Sequence, residues 1–134
     1  MLFRIVKESL YFLKQVIAWT VLNKIKRTFV YSPRASIKAN YGKYVSIGNN
    51  TFVAANVSIG LRSYVNENSW IENCKIGNYC SISSSVMICP SEHFLNKVLC
   101  HPIMGNKVTK PVIIGNDVLI SHGVTVLEGV TIGD

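Results

Sequence analysis

The chain has 134 residues, of which 49% are hydrophobic and 16% charged, and this suits one globular domain with a sizeable core rather than a disordered chain. Its net charge is +7, but this charge is unevenly distributed. Residues 1–43 hold nine basic residues and one acidic residue, whereas residues 44–134 hold five basic and six acidic residues. This distribution argues against a nucleic-acid-binding face across the whole domain, because such a face needs basic residues on the folded surface.

An amphipathic helix is predicted within residues 2–30, inside an N-terminal segment placed at 1–36. Apolar residues recur every three or four positions on one helical face, with charged and polar residues opposite. The apolar face consists of Phe3, Val6, Leu10, Leu13 and Ile17. Such a helix packs on its own domain or on a neighbouring subunit, or it lies on an anionic membrane with Phe12 and Trp19 inward. The last alternative makes residues 1–30 a peripheral membrane contact.

The cysteines indicate a reducing compartment. Cys74, Cys80, Cys89 and Cys100 form neither a CxxC pair nor the spacing of a disulfide framework. Charges interrupt the N-terminal apolar stretch, so it predicts no secretory signal and no transmembrane helix. We therefore expect reduced thiols in a cytoplasmic protein, at the inner face of the membrane if the helix binds lipid.

From Tyr41 onward an aliphatic residue recurs every six positions. Ile47, Val53, Ile59, Val65 and Ile71 stand six apart, Ile76, Ile82 and Ile88 continue after a five-residue step, and Ile114, Ile120, Val126 and Ile132 resume the count. Small or β-branched residues stand four places after most of these. The pattern predicts a parallel β-helix of hexapeptide repeats at 37–134. Residues 89–113 have no hexapeptide phase, and a long insertion in a regular coil usually carries function.

The order of the sequence blocks resembles the hexapeptide-repeat acyltransferases, and within them the sugar O-acetyltransferases and the xenobiotic acetyltransferases. The blocks are residues 75–82, 86–88, 93, 100–102, 111–120 and 126–133. The resemblance implies an all-β, left-handed parallel β-helix behind the N-terminal helix. It also implies homotrimers with each active site between two subunits, and metal-free transfer of an acetyl group from acetyl-CoA to a hydroxyl or amine.

The resemblance assigns His93 as the general base, because this histidine follows the coil that contains residues 86–88. Imidazole suits that role since its pKa lies near working pH. His101 resembles a second histidine that shapes the acceptor site, with plain loop structure as the alternative. Glu92 is a candidate to orient His93 beside the acceptor, although a solvated loop charge is the more ordinary interpretation.

Ser121 and His122 stand where relatives contact the pantetheine arm of CoA, so we expect them to bind the cofactor. The chain departs from the family pattern nearby, because Leu119 replaces the tryptophan of the usual Val-Trp-Ile-Gly sequence. The sequence also stops after Asp134, where relatives continue with another coil and a cap. On this ground we expect a fragment or a truncated product.

These expectations favour an acetyl-CoA-dependent O-acetyltransferase acting on a sugar or polysaccharide precursor. A carbohydrate acceptor is favoured over an antibiotic because the basic N-terminus suits a membrane-proximal substrate. A non-catalytic β-helix that binds a partner protein is the main alternative. A zinc enzyme of the γ-carbonic anhydrase type is a weaker one, because His122 lacks a companion histidine four or five residues on.

Overall fold

The computed structural model describes residues 2–93, 98, 99, 101, 103 and 109–134. One helix, α1 (Leu2–Lys26), precedes fourteen short strands in this part of the chain. The strands are β1 (Phe29–Val30), β2 (Asn40–Tyr41), β3 (Ser46–Ile47), β4 (Phe52–Val53), β5 (Ser58–Ile59), β6 (Tyr64–Val65), β7 (Trp70–Ile71), β8 (Cys74–Ile76), β9 (Ser81–Ile82), β10 (Met87–Ile88), β11 (Val112–Ile114), β12 (Leu119–Ile120), β13 (Thr125–Val126) and β14 (Thr131–Ile132).

The strands form three parallel sheets, and successive strands along the chain pass from one sheet to the next. Sheet A has the order β1-β3-β6-β9-β12, sheet B has β13-β10-β7-β4, and sheet C has β14-β11-β8-β5-β2. Each coil after the first therefore contributes one short strand to each sheet. This arrangement is a parallel β-helix, as the six-residue period predicts. Strand β1, from the predicted N-terminal segment, already belongs to sheet A.

The register of the sheets stacks the repeated aliphatic residues inside the coil. In sheet B, for example, Val53 pairs with Ile71, Ile71 with Ile88 and Ile88 with Val126. The first three of these side chains are fully buried and Val126 is 6% exposed. Burying an aliphatic side chain contributes about 1.5–3 kcal/mol, so these ladders supply most of the hydrophobic stabilisation.

Small polar residues at the turns form hydrogen bonds from one coil to the next. Thr51, Ser63 and Ser69 are all buried, and each donates its hydroxyl hydrogen to a backbone carbonyl of the following coil. The Ser63 oxygen also accepts a hydrogen bond from the Cys80 amide at 2.9 Å, so the same hydroxyl group both donates and accepts. Because an unsatisfied buried polar group is costly, these paired bonds explain why small hydroxyl side chains suit the turns.

Helix α1 covers the first coil with its C-terminal half. Trp19 is 3% exposed, and its indole N–H donates to the Ala35 carbonyl at 2.9 Å. Its ring meets Tyr41 edge-on with 5.2 Å between centroids. The Asn23 side chain donates to the Val30 carbonyl and accepts the Val30 amide, both at 2.9 Å. The hydrophobic core of the β-helix therefore includes residues of α1.

The apolar face predicted for α1 is not the face that packs on the body. Ile17, a member of that face, is 58% exposed, and Phe3 is 85% exposed. For Trp19, the alternative of packing on the protein's own domain holds, because its side chain fills the end of the core. The alternative in which Trp19 faces a membrane is wrong. Within the described residues, no helix combines the length and the apolar character needed to cross a bilayer.

Candidate active site

The predicted loop leaves and rejoins the body at one corner of the coil. It follows β10 in sheet B and returns at β11 in sheet C, where Val112 pairs with Cys74. The backbone amide of Cys89 donates to Val126 at 2.8 Å, and that of Val112 donates to Asn73 at 3.0 Å. The prediction that the hexapeptide register recovers after the interruption is confirmed. Of the predicted motif at 100–102, Cys100 and Pro102 lie outside the described residues.

The root of this loop is built around Cys89. Its side chain is buried and its thiol donates to the Lys110 carbonyl at 3.6 Å, which joins the outgoing and returning ends of the loop. Burial, followed by the nearby Glu128 carboxylate, raises the pKa of Cys89, while a hydrogen bond from Asn73 opposes the shift. The residue therefore stays a neutral thiol and is a poor nucleophile.

Glu92 fastens the start of the loop to the next coil. Its carboxylate Oε1 accepts the backbone amide of Glu128 at 3.3 Å, in the turn after β13, and the side chain is partly buried. Glu92 is therefore bonded to the body of the protein, unlike a carboxylate that only contacts solvent. His93 follows directly and is exposed. An anchored residue thus holds the predicted base at the surface, beside the corner between sheets B and C.

His101 lies further along the loop and is exposed. Its Nδ1 accepts the backbone amide of Ile103 at 3.1 Å. A neutral imidazole that accepts at Nδ1 carries its proton on Nε2, so this bond leaves an N–H available to a ligand. The contact is local and does not itself place His101 against His93.

Ser121 and His122 occupy the turn between β12 and β13, where sheet A passes to sheet B, and both are exposed. His122 Nδ1 lies 2.9 Å from the Ser84 hydroxyl, which is in the corresponding turn of the preceding coil. The hydroxyl orients the imidazole ring. Ser84 was not a predicted site residue, although its place one coil before His122 is visible once the repeat is aligned across the loop.

Four of the predicted residues thus form two groups at opposite edges of sheet B. Glu92 and His93 lie beside the corner that leads to sheet C, whereas Ser121 and His122 lie at the corner that comes from sheet A. The short strand β13 separates the two corners. Within one chain, therefore, the Glu92–His93 group and the Ser121–His122 group lie at different corners of the coil.

A third cluster was not predicted. The Phe52 and Trp70 rings stack on the outer side of sheet B with 4.2 Å between centroids, and the Arg34 guanidinium lies 5.6 Å from the Trp70 centroid. These three residues and part of α1 line a cavity of about 320 Å³. The spacing of 18 residues between Phe52 and Trp70 is one coil, so the sequence did contain the signal for this stack.

The described residues contain no grouping of three His, Cys, Asp or Glu side chains suited to hold a metal ion. Comparisons of the chain with protein-family models, with curated proteins and with solved structures found no match.

Proposed function

We propose that this protein is an acetyl-CoA-dependent O-acetyltransferase of the hexapeptide-repeat class, acting in the cytoplasm on a sugar or polysaccharide precursor. A left-handed coil and a homotrimeric assembly are part of the same proposal. The observation that carries it is the single interruption of the described coil, by a loop that begins with an anchored Glu92 and an exposed His93. A regular coil is a rigid scaffold, and a loop anchored to it can hold a histidine in position as a general base.

In the proposed reaction, His93 removes the proton from an acceptor hydroxyl while the hydroxyl oxygen attacks the thioester carbonyl of acetyl-CoA. The tetrahedral intermediate collapses with loss of the CoA thiolate, which takes the proton from the imidazolium. The products are the O-acetyl ester and CoA, and His93 is regenerated. The neutral thiol of Cys89 favours this direct transfer over a covalent acetyl-cysteine intermediate, because only a thiolate is an effective nucleophile.

The separation of the two groups of site residues supports an assembly with sites between subunits. In a homotrimer, the His93 corner of one copy can meet the Ser121 and His122 corner of its neighbour. The acceptor would then approach His93 and His101 from the loop side, while CoA would lie along the neighbour's turn.

The three histidines offer a matched test, because each can be changed to alanine and assayed for thiol release from acetyl-CoA with a panel of hexoses, N-acetylhexosamines and oligosaccharides. We expect His93→Ala to lower kcat about 10²–10⁴-fold with little change in the KM for acetyl-CoA. His101→Ala should raise the KM for the acceptor, and His122→Ala the KM for acetyl-CoA. Glu92→Gln, which can still accept the Glu128 amide, should retain most activity.

Undiminished turnover in His93→Ala would remove this histidine from the mechanism. If calorimetry at millimolar acetyl-CoA detects no binding, the proposal fails and the non-catalytic scaffold replaces it. Turnover with chloramphenicol-type or streptogramin acceptors but none of the sugars would move the protein to the antibiotic acetyltransferases.

A further inference from the structure

Helix α1 contacts the body along only one of its sides. Gln15 and Trp19 are the buried residues of the helix whose side chains are described, at 7% and 3% exposure, and Leu22 packs partly against the core. These residues recur at intervals of three and four, so they share one face. The Trp19 bond to Ala35 fixes the orientation of that face toward the coil.

The opposite side of the helix carries an apolar stripe that nothing in the described chain covers. Its members are Phe3 (85% exposed), Val6 (48%), Leu10 (54%), Leu13 (55%), Ile17 (58%) and Val21 (53%). From the first to the last, the stripe runs about 27 Å along the helix axis at 1.5 Å per residue. A continuous apolar surface of this length on a folded protein marks a contact site.

Cations border this stripe. Lys7 and Lys14 lie on the same edge of it, one turn before and one turn after Leu10, and both are exposed. The helix has one acidic residue, Glu8, and its carboxylate lies 2.9 Å from Arg4. The lysines therefore give the exposed face a positive charge. Their alkyl stems can extend beside the apolar residues while the ammonium groups reach outward.

We propose that α1 lies flat on an anionic lipid bilayer, with the stripe in the boundary between headgroups and acyl chains and the lysines at the lipid phosphates. The alternative occupant of the stripe is a second copy of this chain. Pairing two such helices would bring their lysines together, and Glu8 is already engaged by Arg4. Charge complementarity therefore favours an anionic surface. This inference is independent of the proposed catalytic function.

Flotation of the full chain with vesicles tests the proposal. Vesicles of phosphatidylcholine with about one-third phosphatidylglycerol should bind the protein at low salt, whereas pure phosphatidylcholine should bind it at least tenfold less. Raising the salt to about 0.5 M should weaken the binding, because the Debye length then falls well below 10 Å. Equal binding to neutral and anionic vesicles, or no binding to either, would overturn the proposal.

Paired variants locate the surface. Leu10→Asp with Leu13→Asp should reduce vesicle binding at least tenfold, whereas Leu119→Asp with Leu127→Asp should leave it unchanged. The second pair is matched to the first, since those leucines are 66% and 51% exposed on the β-helix. Equal losses from both pairs would contradict a site on α1. Circular dichroism of each variant checks that the helix is retained.

The charge contribution is tested by Lys7→Gln with Lys14→Gln, which leaves the apolar stripe unchanged. We expect binding about 30-fold weaker, because each lysine near an anionic surface contributes about 1 kcal/mol, a factor of about five. Unchanged binding would contradict the orientation proposed here. Sedimentation of the Leu10→Asp, Leu13→Asp variant separates the two occupants, since a lower oligomeric mass with unaltered flotation would assign the stripe to a second copy instead.

Discussion

The β-helix and helix α1 both carry aliphatic residues at regular spacing, yet they use them in opposite ways. Ile71, in the middle of sheet B, is fully buried, whereas Ile17, in the apolar face of α1, is 58% exposed. In the coil, the hydrogen-bonded register places each aliphatic residue against its counterparts above and below. The helix touches the body along one side only, so its apolar face is left without a partner in the described chain. Regular spacing therefore identifies an apolar face but does not reveal what covers it.

The sharpest test of this contrast makes the same substitution in both regions. Ile71→Ala should lower the free energy of unfolding by about 2–5 kcal/mol, because it leaves a cavity inside a stacked core. Ile17→Ala should change it by less than about 0.5 kcal/mol, since the site is exposed and alanine favours a helix. Chemical denaturation followed by circular dichroism measures both values. Equal effects at the two sites would mean that α1 packs on another part of the protein.

The connection between the two regions depends on Trp19. Trp19→Phe removes the indole N–H that bonds to the Ala35 carbonyl. We expect a loss of about 1–3 kcal/mol in unfolding free energy, because a buried acceptor loses its partner. Faster hydrogen exchange confined to the C-terminal half of α1 and to the first coil would accompany this loss.

Trp70→Phe is the matched control, because Trp70 is only partly buried and stacks on Phe52. It should cost less than Trp19→Phe. Since the chain has two tryptophans, this variant also leaves Trp19 as the sole indole fluorophore. Its emission should be that of a buried indole and should shift to longer wavelength when the helix detaches. A solvent-exposed emission in the folded protein would contradict the docking of α1.

The last expected effect develops at alkaline pH and arises in the β-helix, since α1 has no cysteine. Burial, with Cys89 as a smaller cause, raises the pKa of Cys74 from 9.0 to about 12. The folded state therefore holds the proton more tightly than the unfolded state. The associated stability is complete below about pH 9 and is lost as the pH rises toward 12, at up to about 1.4 kcal/mol per pH unit.

Unfolding free energies at pH 8, 9 and 10, compared between the parent protein and Cys74→Ala, isolate this contribution. The variant should be less stable at neutral pH because a buried side chain is shortened, but its decline above pH 9 should be shallower. Parallel declines in the two proteins would mean that Cys74 does not titrate in this range. The pH dependence of stability that remains in Cys74→Ala includes a contribution from Cys89, whose pKa is also raised by burial.

Much of the coil could be predicted because its geometry repeats. The period of six places Ile59, Ile76 and Ile114 in one stack of sheet C, and the structure pairs them in that order. The return of the chain to the coil after the loop was predicted for the same reason. The contacts of the site were harder to predict. The Glu92 bond to Glu128 and the Ser84 bond to His122 both join residues more than 30 positions apart.

The sequence by itself determined the parallel coil, the place of its interruption and the helical character of the N-terminus, since each depends on local spacing and on the size of the side chains. Only the tertiary structure decided that α1 packs through Gln15 and Trp19 and leaves its apolar stripe outward. Likewise, only the fold placed His93 and His122 at opposite edges of sheet B. The physical reason is that a periodic pattern specifies which side chains avoid water, whereas the neighbour that covers them is set by hydrogen bonds and packing between distant segments.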